Sequence, residues 1–187
     1  MINISKNKCV GCGICIINCP ADAISINDWV ATIDQDQCVN CGVCIKVCPQ
    51  NAAMEIKGEF LFAIGTDDDE RLKSDDHVGM SKYFQVWIYS NGKLVFKESR
   101  ENIKYKEDET RIHGDPGKAK ATASALKGID VLSGKMFGPN IKRLKNKFVC
   151  AVIREESIKQ AIQVIKENIN EIIEEKNKED KTGIILK

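Results

Sequence analysis

The rhythm of apolar positions changes near residue 58. Before that point apolar side chains are sparse, mostly small, and scattered between cysteines; after it they gather into runs with strand and helix spacing. In the first stretch, each half reads as a short strand, a Cys-rich loop, a helical turn and another short strand. Ile24 and Ile26 give the alternation of the strand that closes the first half, and Ile33 opens the second. Residues 60–64 are an unbroken apolar run, which predicts a buried strand. Residues 67–79 are acidic and irregular. Residues 83–89 are aromatic and β-branched, and they predict a strand. Asn91-Gly92 then predicts a two-residue hairpin with a returning strand over residues 93–98. The polar residues 99–114 read as a long loop. Asp115-Pro116 offers an N-cap and an N1 proline to a helix ending about residue 127. A strand over 129–132, a short helix over 138–144 and a strand over 148–153 follow. Ser157 caps a long helix whose Ile158, Ala161, Ile162, Ile165, Ile169, Ile172 and Ile173 share one face. Residues 177–181 form a charged break before a short apolar tail at 183–186.

This pattern predicts two domains, residues 1–57 and 58–187, in a chain of 187 residues. The second, a strand, a hairpin and then αβαβα, is expected to form one mixed sheet with helices on its faces. Composition excludes some partners. With 28 basic and 27 acidic residues, the chain has no charge excess for nucleic acid or a membrane surface. No apolar run approaches the roughly 20 residues of a membrane span. The first ten residues hold no secretory h-region, so the expected location is the cytoplasm.

Eight of the nine cysteines lie between Cys9 and Cys48, in an internal repeat offset by 29 residues. Cys9, Cys12, Cys15, Cys19 and Pro20 recur as Cys38, Cys41, Cys44, Cys48 and Pro49. The spacing is C-x2-C-x2-C-x3-C-P, twice. Iron–sulfur cores take thiolate donors because soft sulfur matches their iron. Three close cysteines wrap three corners of a cube, and the fourth reaches the other cluster. Cys9, Cys12, Cys15 and Cys48 are therefore expected to ligate one [4Fe–4S] cluster, and Cys38, Cys41, Cys44 and Cys19 a second. Paired C-x2-C units also bind zinc, and dense cysteines also form disulfides. Two continuous quartets overfill a zinc site, and a reducing compartment disfavours disulfides. Residues 1–57 resemble the bacterial-type two-cluster ferredoxins, which implies an α+β, pseudo-twofold module and low-potential electron transfer. Residues 1–57 hold four lysines against five acidic residues, a net −1. Two oxidised clusters of about −2 each would bring the module to about −5, which favours a redox partner protein with a basic face.

The second half carries Ala63, Thr66, Asp67 and Asp68 at its first strand, then Asp76, His77 and Gly79. These residues resemble the A-x-x-T-D-D and acidic-His-aromatic-Gly patterns of the dinitrogenase iron–molybdenum cofactor biosynthesis family, with Val78 in place of the aromatic. The resemblance implies an α/β ribonuclease-H-like domain with a mixed sheet. It also implies an additional iron–sulfur or iron–molybdenum cluster, or its precursor, with His77 as the candidate ligand and a metallocluster-assembly protein as a partner. The expected site is shallow and lies in the loop between the first two strands, with Arg71 and Lys82 as nearby basic residues. A lone loop histidine is otherwise bonded to backbone or solvated, as is His113. Cys150 lies in an apolar strand and reads as a small hydrophobe. Asp67 and Asp130 are the acids that a two-metal nuclease of this fold would use.

Together these features predict a non-enzymatic electron carrier fused to a cluster-binding domain; the alternative is an electron carrier whose second domain only docks partners. Trp29 is the only aromatic residue of the first 57, so this module lacks the large side chains that stabilise a chain of its length. Removing iron anaerobically with a chelator is expected to unfold residues 1–57 and leave the second domain folded. Amide resonance dispersion measures this, and a dispersed spectrum for the iron-free module would refute it.

Overall fold

The computed structural model describes every residue except 104, 106–113 and 187. The chain divides into two compact units, Met1–Gly58 and Glu59–Lys187.

In the first unit the repeat appears as strand, helix, strand, twice. The elements are β1 (Ile2–Ile4), α1 (Ile14–Ile17), β2 (Ile24–Asn27), β3 (Val30–Ile33), α2 (Val43–Val47) and β4 (Ala53–Glu55). Strands pair across the repeats. β1 lies antiparallel to β4, with Asn3 opposite Met54, and β2 lies antiparallel to β3, with Ser25 opposite Thr32. Neither half can complete its pairing alone, so the two fold as one body. Gly13 and Gly42, at φ 76° and 77°, begin α1 and α2. Left-handed backbone at these positions turns the chain from each cysteine loop into its helix, and it is open to glycine without strain. The core is small: Ile2, Ile4, Ile24, Ala31, Ala52 and Ala53 pack with the buried Cys44.

The second unit is built on one six-stranded sheet. Its strands are β5 (Phe60–Thr66), β6 (Tyr83–Ser90), β7 (Lys93–Glu101), β8 (Val131–Gly134), β9 (Val149–Ile153) and β10 (Ile184–Leu186), in the order β10-β9-β8-β5-β6-β7. β5, β6 and β7 form an antiparallel meander, while β8, β9 and β10 run parallel to β5. The Asn91-Gly92 hairpin has positive φ at both residues, as a primed turn requires. Helices α3 (Pro116–Ala125), α4 (Ile141–Leu144), α5 (Ile158–Glu167) and α6 (Ile169–Lys176) complete the unit. On one face of the sheet Ala63, Val86, Leu132 and Cys150 pack with Ala123, Leu126 and Leu144 of α3 and α4. α5 lies over the other face, where Gln85, Trp87, Ile158 and Ile162 share a groove.

Three expected elements differ from those observed. The returning hairpin strand continues to Glu101 rather than ending at Glu98, because its partner β6 is long enough to pair with it to Tyr83. The single long helix is two, broken at Asn168, whose side-chain amide donates to the Val164 carbonyl at 2.8 Å. The terminal apolar tail is the edge strand β10, paired parallel with β9. Buried Glu175 fixes that return: it accepts from the Thr182 and Gly183 N–H groups, at 2.5 and 2.8 Å, and from Lys178. Those N–H donors and Lys178 hold its carboxyl below the usual range, although burial opposes them.

Between β5 and β6 the chain crosses the end of the sheet, and Val78 pins it there. Val78 is 1% exposed and its N–H donates to the Met136 carbonyl at 2.8 Å. A methyl group on Gly134 would lie 2.6 Å from Val78 Cγ2, and one on Gly65 would lie 2.7 Å from the same atom. Both neighbours are backbone in packed strands and cannot yield. Gly134→Ala is therefore expected to push Val78 outward and lower stability by about 1–3 kcal/mol, the usual cost of overpacking. Denaturant unfolding measures this; Val78→Ala in the same background is expected to restore part of the loss.

Candidate functional site

The structure brings the eight clustered cysteines to two cavities, and it mixes the repeats in doing so. Cys9, Cys12 and Cys15 line one cavity together with Cys48 of the second repeat. Cys38, Cys41 and Cys44 line the other together with Cys19 of the first. The cause is local. The first three sulfurs of each run belong to a loop and the first turn of α1 or α2, while the fourth follows the helix end. Cross-repeat strand pairing then sets that fourth side chain beside the opposite loop. All nine cysteines are free thiols. Among the described residues no three His, Cys, Asp or Glu side chains converge as ligands of a single ion. The thiols surround a space instead, as the separate corners of a polynuclear core require.

The electrostatics of these thiols match their crowding. Burial pushes the Cys15 thiol up against an opposing backbone N–H, and repulsion from the neighbouring Cys9, Cys12 and Cys48 adds to the rise. Cys44 is raised in the same way, by burial and then by Cys38 and Cys41. Cys48 is lowered: burial opposes ionisation, but the N–H groups of Ala52, Ala53, Gln50 and Asn51 favour the thiolate. The Ala52 N–H stands 3.3 Å from Cys48 Sγ, and the Ala31 N–H stands 3.3 Å from Cys9 Sγ. Four thiols per cavity, exposed at Cys12 and Cys41 and otherwise recessed, with N–H donors aimed at sulfur, fit a [4Fe–4S] core.

In the second unit His77 is exposed and begins the short turn Val78–Met80. Its backbone N–H donates to the Asp76 carboxylate at 2.6 Å. The ring lies against Gly138, where an added methyl group would fall 2.4 Å from Cδ2. His77 lines a cleft of about 310 Å³ with Asp76, Gly114, Lys118, Gly138 and Asn140 among its walls. The cleft sits beyond the C-terminal ends of the parallel strands β5 and β8, between the 77–80 turn, the first turns of α3 and the segment before α4. Open α/β sheets commonly bind ligands in this position. The site is thus wider than the expected loop, because α3 and the 137–144 segment supply two of its walls.

Sequence reasoning missed Lys118 and Asn140, which lie more than 40 residues from His77 and carry no motif. Burial draws the Lys118 ammonium down from its usual range, and Asp76 partly restores it. The basic residues expected near His77 lie elsewhere. Arg71 is paired with Asp68 at 2.8 Å, and Lys82 lines a different cleft, with Tyr83 and Glu101. The acidic run is tied into the fold rather than free for ligation. Asp67 accepts from Lys73 at 2.5 Å and from the Lys82 N–H at 2.8 Å. The N–H groups of Arg71 and Glu70, then the Arg71 guanidinium, hold Asp68 down to about 2. Asp130 accepts from the Leu61 N–H at 2.9 Å and from Lys176 at 2.6 Å, beside the start of β5. Asp67 follows the end of that strand, so the two acids of the nuclease reading stand at opposite ends of the sheet. Cys150 is fully buried, which pushes its thiol up to about 12 and leaves it a packing residue. His113 lies outside the described residues.

Comparison with known proteins adds the following. The family model described as 4Fe-4S dicluster domain matches residues 8–52. The family model described as dinitrogenase iron-molybdenum cofactor matches residues 59–174. No curated protein matches the chain. A solved structure described as adenosine 5'-phosphosulfate reductase in complex with substrate aligns at 18% identity and a TM-score of 0.28, covering 68% of this chain and 85% of that one. A 4Fe-4S dicluster domain is thus followed by a domain that spans most of the chain, and through that domain the chain belongs to the dinitrogenase iron-molybdenum cofactor family.

Proposed function

We propose that this chain is a one-electron carrier with two [4Fe–4S] clusters, fused to a domain that holds an iron–sulfur or iron–molybdenum cluster or its precursor. The observation that carries the first part is the mixed quartets. Cys9, Cys12, Cys15 and Cys48 around one cavity, and Cys38, Cys41, Cys44 and Cys19 around the other, give each space four thiolates. Each cluster supplies reversible one-electron exchange. The protein's own part is to hold the sulfurs, to aim the Ala31 and Ala52 N–H groups at Cys9 and Cys48, and to limit water. N–H donors drain charge from the sulfurs and so favour the reduced state. Reduced thiols at eight positions suit a cytoplasmic location, and none of the described helices is long and apolar enough to cross a membrane.

The strand order β7-β6-β5-β8-β9, antiparallel for the first three and parallel thereafter, supports a ribonuclease-H-like fold for the second domain. The cleft beside His77 supports the cluster-binding reading. At about 310 Å³ it lies within the usual range of ligand pockets, it offers an imidazole, and Lys118 supplies the positive charge that an anionic cluster favours. In this role the domain carries a cofactor and does no chemistry on a substrate. A metallocluster-assembly protein would load or unload the site, and a separate redox partner protein would exchange electrons with the first domain. The exposure of His77 favours one competing reading, a docking domain that holds no metal.

Two experiments decide these assignments. Cys19→Ala is expected to damage the cluster that Cys41→Ala damages, and to leave intact the one that Cys12→Ala damages. Iron content and electron paramagnetic resonance of anaerobically prepared protein report it; a Cys19→Ala spectrum matching Cys12→Ala would overturn the assignment. His77→Ala is expected to weaken uptake of an iron–sulfur or iron–molybdenum cofactor in anaerobic titration by about tenfold or more. Equal binding by both forms removes His77 from the site, and no binding by either favours the docking reading.

A further inference from the structure

The repeat offers an internal control for which cluster faces a partner, since positions 29 apart should be equivalent. At the surface they are not. The first repeat carries Val10, Ile14 and Ile17, exposed by 61%, 37% and 84%, and Trp29, exposed by 84%. Their counterparts are Val39, Val43, Lys46 and Gly58, so the second repeat has no aromatic residue and has a charge where Ile17 stands.

Trp29 is explained neither by local preference nor by packing. It occupies the second corner of the β2–β3 turn, Asp28-Trp29, with φ of 49° and 65°. Both positions need left-handed backbone, and the second strongly favours glycine. A bulky side chain is disfavoured there, and this one gains no burial in return. Backbone held in such a region against preference points to function when the surroundings enforce it. They do here. A methyl group on Gly11 would lie 2.5 Å from the Trp29 carbonyl oxygen, so the turn is seated on the Cys9–Cys12 loop. Two residues on, the Ala31 N–H donates to Cys9 Sγ. The turn that carries the indole is thereby fixed against the loop that lines the first cavity.

We infer that the face formed by Trp29, Val10, Ile14 and Ile17 is the docking surface for the electron-exchanging partner. Electrons then enter and leave by the cluster of Cys9, Cys12, Cys15 and Cys48. The partner is a redox protein with an apolar recess for the indole inside a basic rim. The recess follows from the side chains exposed. The basic rim follows from the module's excess of acidic residues, to which two thiolate-ligated clusters add negative charge, and from Asp28 beside the indole. Buried tryptophans at the centre of an interface dominate its affinity. The inference rests on the electron-carrier reading above.

Cytochrome c, a basic redox protein with an exposed haem edge, is a suitable probe. Dithionite-reduced holoprotein is mixed with it in a stopped-flow instrument at low salt, with the oxidised pair followed by the Trp29 indole N–H resonance. Trp29→Gly suits the turn, so it is expected to keep its iron content and its unfolding temperature. Its second-order rate is expected to fall by about tenfold, while Val39→Ser on the other face reacts like the parent. The parent's indole resonance is expected to shift on titration. The inference is overturned if Trp29→Gly reacts like the parent, or if Val39→Ser slows as much. It is overturned too if the indole N–H is already protected from solvent exchange in the free protein, or if reduced clusters fail to react with the probe. Clusters that dithionite cannot reduce would instead overturn the electron-carrier reading itself.

Discussion

Ionised sulfurs repel, and the first unit places four of them around each of two small spaces. Burial and mutual repulsion raise Cys15 and Cys44, so these thiols resist ionising there without a positive partner. The unit has little else to hold it: its core is three isoleucines, three alanines and a cysteine. A positively charged iron–sulfur core reverses the sign of the problem, because each thiolate then gains a partner and the loops gain a fixed point. On that reading the fourth cysteine of each run has a structural task. By reaching into the opposite cavity, Cys19 and Cys48 tie the repeats together through the metal as well as through β1–β4 and β2–β3 pairing.

The second unit solves the opposite problem. It has a full core and needs an opening. Val78 fills the space left by Gly65 and Gly134 and holds the crossing segment down on the sheet. His77, one residue earlier, is carried to the rim, where the bare backbone of Gly138 leaves room for its ring. The valine in place of the family's aromatic therefore does not abolish the cleft. It is an anchor of a size that the two glycines admit.

How far these features could be read from sequence depends on the range of the interactions that set them. The hairpin at Asn91-Gly92 and the helix starts are local, and local chemistry announces them. Asp115 accepts from the Gly117 N–H at 2.7 Å, and Ser157 exchanges hydrogen bonds with Gln160 in a capping box. The cysteine quartets are local in spacing, and only their exchange depends on the fold. By contrast, the break at Asn168 interrupts a stripe of isoleucines whose periodicity runs on across it. β10 is too short to declare itself; it exists because β9 offers an edge and because Glu175 gathers the N–H groups of the turn before it. Lys118 and Asn140 reach the cleft through tertiary packing alone, and no pattern in the chain marks them.

Free carboxylates in the acidic run before His77 would repel an anionic ligand. Its charges are largely committed. Asp67 faces Lys73, which also meets Asp75 at 2.7 Å, and Asp68 is held by Arg71 and two N–H groups. Of the carboxylates before His77, Asp76 is the one that lines the cleft, opposite Lys118. Among the described residues the cleft wall includes no cysteine, in contrast to the four thiols of each cavity in the first unit. A thiolate cage retains its metal through many strong bonds and exchanges it slowly. An open cleft with one imidazole, one ammonium and a glycine-lined wall makes few bonds, which suits a ligand that must be released again. Under the proposed function, the two units would divide the chemistry by donor set: fixed thiolates where the metal stays and carries electrons, and a sparse, accessible site where a cluster is handed on.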